Sequence, residues 1–389
     1  MRVESSSLPG GVRDDLAIVL DGGGARAAYQ AGLLRWMGRR YPTLRLPIIT
    51  GVSAGAINAV FLAAYPGPFG EATEELSRLW RSLTVDKVFR VDASSLGRTV
   101  LHWGLRLVSG GRALSPPLRG LVDTSPLRRT LEAAFGVGPD GEIAGIGRSL
   151  RSGTLTALAV MTSSYTTGQT VAWVEGREIA DWDRPFRRSR QAPITVKHVM
   201  ASAALPLLFP AVELESAWYG DGGIRLVTPL SPAVHLGAHR LLAFSTRYNR
   251  TRQDADEPQV EGYPPPLQIA GQLLNAIFLD DLDRDALTLA RLNRLVARLP
   301  PSERSGLRVV NMTLVRPSCD LGRLARDYEV RLPRLFRHLV RSAGARETRS
   351  PDLLSLLMFD PEYLKTLIEI GESDGEQQAA VIGRLLEPA

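Results

Sequence analysis

Gly51, Val52, Ser53, Ala54 and Gly55 form a G-x-S-x-G pentapeptide whose serine hydroxyl has the setting of a nucleophile. An apolar run, residues 46–50, comes just before it, and a run of small and apolar residues follows (Ala54, Ala56, Ile57, Ala59, Val60, Leu62, Ala63 and Ala64). A chain that turns sharply there from strand into helix lifts the hydroxyl into the open, and the two glycines leave room for the strained backbone. The N-terminus of the following helix adds partial positive charge beside an oxygen that becomes anionic during acyl transfer. Gly/Ser turns without any chemistry read the same way over five residues, so the pentapeptide needs partners.

A second block supplies one. Asp21, Gly22, Gly23, Gly24, Ala25 and Arg26 follow a strand-like run at 16–20 and open a helical run, with Arg35, Arg39 and Arg40 toward its C-terminal end. Cations are favoured at that end. Three glycines at a strand-to-helix turn expose consecutive backbone N–H groups, which makes an anion site for a phosphate or for a tetrahedral oxyanion. The phosphate readings fit poorly. Gly22, Gly24 and Ala27 match a dinucleotide fingerprint, but that fold wants an acid about 20 residues on. No Asp or Glu occurs between Gly22 and Gly70, and the Gly-Lys-Ser/Thr of a nucleotide-binding loop is absent. A glycine turn with no ligand is the plain alternative.

The third block is Asp221-Gly222-Gly223, preceded by Tyr219 and Gly220. Taken alone it is a turn, since Asp-Gly is a turn dipeptide. Taken with the other two, and with the stretch Ala201-Ser202-Ala203-Ala204-Leu205-Pro206-Leu207-Leu208-Phe209-Pro210, it resembles the patatin-like phospholipases. The resemblance runs over about residues 14–245 and rests on the order and spacing of all four blocks. It implies a lipid acyl hydrolase that works by a Ser–Asp dyad without a catalytic histidine. Ser53 would be the nucleophile, Asp221 its partner, and the backbone of Gly22, Gly23 and Gly24 the oxyanion hole. One departure is visible. The family's glycine block ends in Gly where this chain has Ala27, a small residue expected inside the helix without loss of the hole.

The dyad also makes chemical sense by itself. A serine hydroxyl is a weak nucleophile until a base takes its proton. A carboxylate is a weaker base than imidazole at neutral pH, so the oxyanion donors must contribute more. The histidines, His102, His198, His235, His239 and His338, leave an alternative open. The order Ser53…Asp221…His235 or His239 would suit an α/β-hydrolase triad, although there the elbow follows several strands and here only one strand–helix unit. A non-catalytic lipid- or phosphate-binding protein that keeps the glycine loop is the other rival. No His/Cys/carboxylate spacing reads as a metal site, and no cofactor is expected.

The elements that must position these blocks are those of an α/β layered fold, with a largely parallel central sheet flanked by helices. Strand, helix, strand, elbow and helix fill 16–65. Further strand-like runs lie at 154–161, 169–174, 240–245 and 308–314, and Asp123-Thr124-Ser125-Pro126 opens a capped helix. A charged, proline-rich loop at 251–266 precedes helical runs at 267–278 and 283–298. Residues 1–14 read as disordered, 15–320 as the hydrolase domain and 321–389 as a helical C-terminal appendage. Eight arginines face three acids over 321–350, and eight acids face two bases over 351–389, a pattern that fits two halves paired electrostatically as well as two solvated helices packed on the main domain.

The 389 residues, 44% of them hydrophobic, provide a full core. The single cysteine, Cys319, excludes an internal disulfide. The N-terminus lacks the apolar region of a signal peptide and no apolar run spans a membrane, so the expectation is a cytoplasmic enzyme. The net charge of +6 is carried almost entirely by arginine. No nucleic-acid module is present, so the basic surplus fits a lipid ester substrate and a peripheral contact with anionic membrane. Residues 93–122 contain no acid and set Arg98, Arg106, Arg112 and Arg119 among Leu101, Trp103, Leu105, Leu107 and Val108. That mixture suits a lid or an interfacial segment as well as an ordinary packed helix. Nothing in the sequence fixes an oligomeric state.

Overall fold

A computed structural model of the chain describes residues 15–90, 120–138, 141–251, 281–333 and 352–387, with isolated positions at 256, 263–264, 269, 271–273 and 337. Its strands are β1 (Leu16–Leu20), β2 (Ile48–Val52), β3 (Ala157–Ser164), β4 (Thr170–Gly176), β5 (Asp183–Arg184), β6 (Arg187–Gln191), β7 (Val212–Leu214), β8 (Ala217–Asp221), β9 (Arg240–Phe244) and β10 (Asn311–Val315). The helices that matter below are α1 (Ala27–Arg40), α2 (Ala54–Ala64), α3 (Phe69–Ser82), α4 (Ser125–Phe135), α5 (Val196–Ser202), α6 (Ser231–His235), α7 (Asp352–Leu357), α8 (Pro361–Gln377) and α9 (Ala379–Leu386). All ten strands join one sheet, in the order β10-β9-β1-β2-β3-β4-β6-β5, with β7 and β8 off that path.

The fold is the α/β layered one expected. β10, β9, β1, β2 and β3 run parallel. β1 and β2 are buried along their whole length, as parallel strands covered on both faces must be, which is why they read as unbroken apolar runs. One large apolar cluster joins Ile18, Leu20, Tyr29 and Leu33 to Phe61, Trp80, Tyr363 and Ile368, and a second, smaller one holds Ala17, Val19, Met161, Leu230 and Leu241 on the other face.

The decisive piece of topology is at β3. From Ala157 to Ser163 it pairs with antiparallel β4 on one edge. On the other edge it pairs first with parallel β2, up to Val52 opposite Met161, and then with antiparallel β8, from Asp221 opposite Thr162. β2 and β8 therefore meet end to end against consecutive residues of β3. Gly222 makes the meeting close: a Cβ there would overlap the Met161 carbonyl and approach Val52 Cγ2 to 2.7 Å.

Strands β5 to β8 and helices α3 and α5 are not legible in the sequence. β6 reads Arg-Arg-Ser-Arg-Gln, with no apolar alternation, and is held near the sheet's rim with Arg190 over the Trp173 ring at 5.6 Å. β8 is only five residues long and ends in Gly-Asp, which reads as a turn. Residues 93–119, including Trp103 and the segment considered as a lid, lie outside the described residues, as do residues 1–14 and most of 251–280.

The C-terminal helices share the main core. α8 starts at Asp360, whose carboxylate accepts from the N–H groups of Glu362 and Tyr363, with Pro361 at the first helical position. It packs on α1 backbone to backbone: a Cβ on Gly32 would overlap the Ile368 carbonyl, and one on Gly371 would overlap that of Tyr29. Among the described residues, acids of this region meet α1. Glu372 pairs with Arg35 at 2.6 Å and Glu376 accepts from the Trp36 indole at 2.6 Å. Within 321–387, Arg331 and Asp360 approach to 3.6 Å.

Candidate active site

The turn from β2 into α2 is made at Ser53, whose φ of 54° and ψ of −129° place a non-glycine residue in a strained region of the backbone. The sequence folds this way because both flanking glycines sit where side chains cannot. A Cβ on Gly55 would overlap the carbonyls of Leu20 and Asp21, and one on Gly51 would lie 2.6 Å from the Gly55 carbonyl oxygen. The strain is held by a neighbour that sequence reasoning left without a role. Ser202, at the end of α5, accepts the Ser53 N–H at 2.9 Å and donates its own hydroxyl to the Met161 carbonyl at 2.6 Å.

Ser53 and Asp221, predicted from blocks 168 residues apart, are in contact. The Ser53 hydroxyl donates to Asp221 Oδ2 at 2.6 Å. Asp221 Oδ1 accepts the Gly223 N–H at 2.9 Å, which fixes the carboxylate plane. Asp221 is fully buried and Ser53 is 4% exposed. Burial pushes the Asp221 carboxyl up to about 7, against the Ser53 hydroxyl and the Gly223 N–H, which hold it down. The pair is thus poised between forms near neutral pH. α2 begins immediately at Ala54, so its positive end faces the Ser53 oxygen.

The glycine loop lies against this pair. A Cβ on Gly22 would come within 3.1 Å of Ser53 Cβ. Gly23 has a φ of 148° and Gly24 of 54°, and both N–H groups are without a partner among the described residues. Gly22 differs from its neighbours. Its N–H donates to Asp21 Oδ1 at 2.9 Å, and its carbonyl accepts from the Thr246 hydroxyl at 2.6 Å. Ala27, the departure from the family pattern, has a φ of −65° that any residue adopts. Behind the loop a buried chain of hydrogen bonds runs from the Trp80 indole to Asn58, from Asn58 to Gln30, and from Gln30 to the Asp21 carbonyl. Asp21 itself is buried, its Oδ2 without a partner among the described residues, and burial pushes it up to about 8.

The histidines are placed elsewhere. His198 closes a capping box with Thr195 and stacks edge-on against Trp173 at 4.7 Å; burial lowers it to about 4. His235 ends α6, where Nδ1 bonds the Ser231 carbonyl at 2.8 Å and the ring stacks on Trp182. His239 lies in the loop before β9, with its N–H on the Asp15 carbonyl. His102 and His338 lie outside the described residues.

Ser53 opens onto an apolar cavity of about 30 Å³, lined by Gly24, Ile57, Leu127, Phe209, Leu356 and Phe359 among others. Larger clefts of about 670 and 440 Å³ are lined by residues such as Phe61, Glu75 and Arg148, and hold neither member of the pair. Leu356 and Phe359 are more than 300 residues from Ser53 in sequence, and nothing local marks them as part of a site. No helix among the described residues is long and apolar enough to cross a membrane.

The sequence model of one family, described as patatin-like phospholipase, matches residues 18–234, more than half of the chain. That span contains Gly22 to Gly24, Ser53 and Asp221. No curated protein sequence matches. Among solved structures, VipD from Legionella pneumophila aligns over 91% of this chain and 67% of its own, at 14% identity and a TM-score of 0.37. Human GIVD cytosolic phospholipase A2 aligns over 96% of this chain and 60% of its own, at 12% identity and a TM-score of 0.47. ExoU of Pseudomonas aeruginosa, in its complex with SpcU, aligns over 94% and 71%, at 16% identity and a TM-score of 0.27. This chain therefore spans about 60% of the length of the human phospholipase.

Proposed function

Because the chain belongs to the patatin-like phospholipase family, we propose that it is a serine lipid acyl hydrolase, cleaving carboxylic esters of lipids through an acyl-enzyme intermediate. The observation that carries the reading is the 2.6 Å hydrogen bond from the Ser53 hydroxyl, at a strained strand-to-helix turn, to the buried carboxylate of Asp221. Ser53 attacks the ester carbonyl as Asp221 takes its proton. The N–H groups of Gly23 and Gly24 receive the oxyanion, with Gly22 completing the loop and turned toward Asp21. Asp221 returns the proton to the departing alcohol, and water, deprotonated by the same carboxylate, releases the acid.

The dyad is favoured over a Ser-His-Asp triad because Asp221 spends its two oxygens on Ser53 and Gly223, while His235 bonds within its own helix. Peripheral contact with an anionic membrane is part of the reading, supported by the +6 charge and by exposed Leu207 and Phe186. The first test is covalent. A fluorophosphonate should label the purified chain once, at Ser53, and Ser53→Ala should lose both labelling and p-nitrophenyl ester hydrolysis while unfolding at an unchanged temperature. A chain that folds but neither labels nor hydrolyses is a binding protein, and one whose Ser53→Ala variant still labels uses another nucleophile.

A further inference from the structure

The segment that closes the Ser53 cavity comes from far along the chain. Leu356 and Phe359 belong to α7 and the turn after it, and both line the cavity beside Gly24 and Ser53. The segment touches the glycine loop directly, since a Cβ on Gly24 would overlap the Leu356 carbonyl. It is fixed at both ends. At its start, Arg26, buried at the foot of the glycine loop, gives Nη2 to Asp352 at 2.6 Å and Nε to the Ser355 hydroxyl at 2.6 Å. The side chains of Arg26 and Asp352 are 4% and 13% exposed. At its end, Asp360 caps α8, which packs backbone to backbone on α1. Between these anchors Phe359 meets Phe89 edge-on at 6.4 Å, and Phe89 in turn meets Phe209 at 5.8 Å. Phe209 also lines the cavity.

This arrangement has two consequences. Arg26, the one arginine of the glycine block, has its guanidinium turned inward to the C-terminal segment, so it is a positioning residue and is taken up by the protein itself. And the cavity, at about 30 Å³, holds one or two waters, far below the 300–1,000 Å³ typical of ligand pockets. A long acyl chain enters only if the lining gives way, and Leu356 and Phe359 are the part of that lining supplied by the C-terminal segment.

We infer that residues 352–359 are the acyl-length gauge of this enzyme, with Leu356 and Phe359 as the stop and the Arg26–Asp352–Ser355 contacts as the clamp that holds the stop in place. The inference rests on the acyl-hydrolase reading above and goes beyond it by naming what limits the acyl group.

The test is a series of p-nitrophenyl esters from butyrate to laurate, with kcat/KM measured for the full chain. The wild type should prefer the short esters. Phe359→Ala and Leu356→Ala should each move the laurate-to-butyrate ratio at least tenfold toward laurate, mainly through KM. Asp352→Asn should move it at least threefold the same way. If Phe359→Ala does not fold, Phe359→Leu carries the test, with a shift of at least threefold expected. Leu79→Ala, in a different cleft, should leave the ratio alone. Ser53-dependent hydrolysis with an unchanged ratio in the folded gauge variants overturns the gauge and leaves the hydrolase standing. Absence of any Ser53-dependent hydrolysis in the wild type overturns the hydrolase reading, and the gauge with it.

Discussion

A carboxylate that serves serine as a base must be unprotonated when substrate arrives, and burial works against that at Asp221. With the carboxyl pushed up to about 7, kcat/KM should fall about tenfold for each pH unit below that value, the acid limb expected of an essential base in the free enzyme. A pH–rate profile with no limb between pH 6 and 8 would contradict this. Asp221→Asn should cost at least about a hundredfold in kcat, within the usual range for losing a general base. His235→Ala and His239→Ala should each cost less than about tenfold, since neither ring is bonded to the pair; a collapse in either would restore the triad. Asp21 gives a different readout. Its folded carboxyl, pushed up to about 8, binds a proton that the unfolded chain has released above about pH 4. The folded state holds more protons in that window, so stability is lost as pH rises through it. The unfolding midpoint should drop between pH 6 and 9, and Asp21→Asn should flatten the slope whatever it does to the midpoint itself. Of these residues, Ser53 was legible from its G-x-S-x-G setting, and Asp221 and the three glycines through the order and spacing of blocks that resemble the patatin-like phospholipases. Ser202 and Asp21 were not, because a hydroxyl or a carboxyl acquires its role only from the atoms that folding places around it.

At the scale of elements, the site is a product of strand ends. Ser53 leaves β2 and Asp221 ends β8 against neighbouring residues of β3, so a short strand that read as a turn supplies the proposed base. The parallel strands were legible because burial on both faces demands apolar runs; β6, near the sheet's rim, obeys no such demand, and β8 was hidden because five residues ending in Gly-Asp read as a turn. The same backbone closeness governs the helices. Gly371→Ala would drive a methyl into the Tyr29 carbonyl, and overpacking of this kind costs about 1–3 kcal/mol. Gly383→Ala in α9, whose added methyl would meet only the Tyr41 hydroxyl at 3.4 Å, should instead gain about 0.5–1 kcal/mol by removing a helical glycine. Denaturant unfolding of the two variants reads the contrast. Equal effects would mean that the α1–α8 contact is looser than described.

At the scale of the whole molecule, the surplus of arginine is the feature that tests the proposed contact with anionic membrane. The chain should co-sediment with vesicles containing phosphatidylglycerol more than with phosphatidylcholine alone. Binding should fall as salt rises, because exposed charges reach only about 8 Å at physiological ionic strength. Sedimentation that ignores both lipid charge and salt would remove the electrostatic contribution and leave the apolar one.

The position of β1 has a consequence for how the molecule comes into being. β1 lies between β2, its near neighbour in sequence, and β9, more than 200 residues later, and the glycine loop that β1 delivers is clamped by Asp352. Pairings this distant close slowly, because the intervening chain must first be ordered. A growing polypeptide exposes Ser53 early, yet the contacts around it, to Ser202, Asp221 and the glycine loop clamped by Asp352, are complete only when the ribosome has moved well beyond Asp352. At about 5–20 residues per second, the interval between making the nucleophile and completing its site is on the order of 15–60 seconds. Throughout that interval the nascent chain carries a serine hydroxyl without the full set of partners that the proposed chemistry needs.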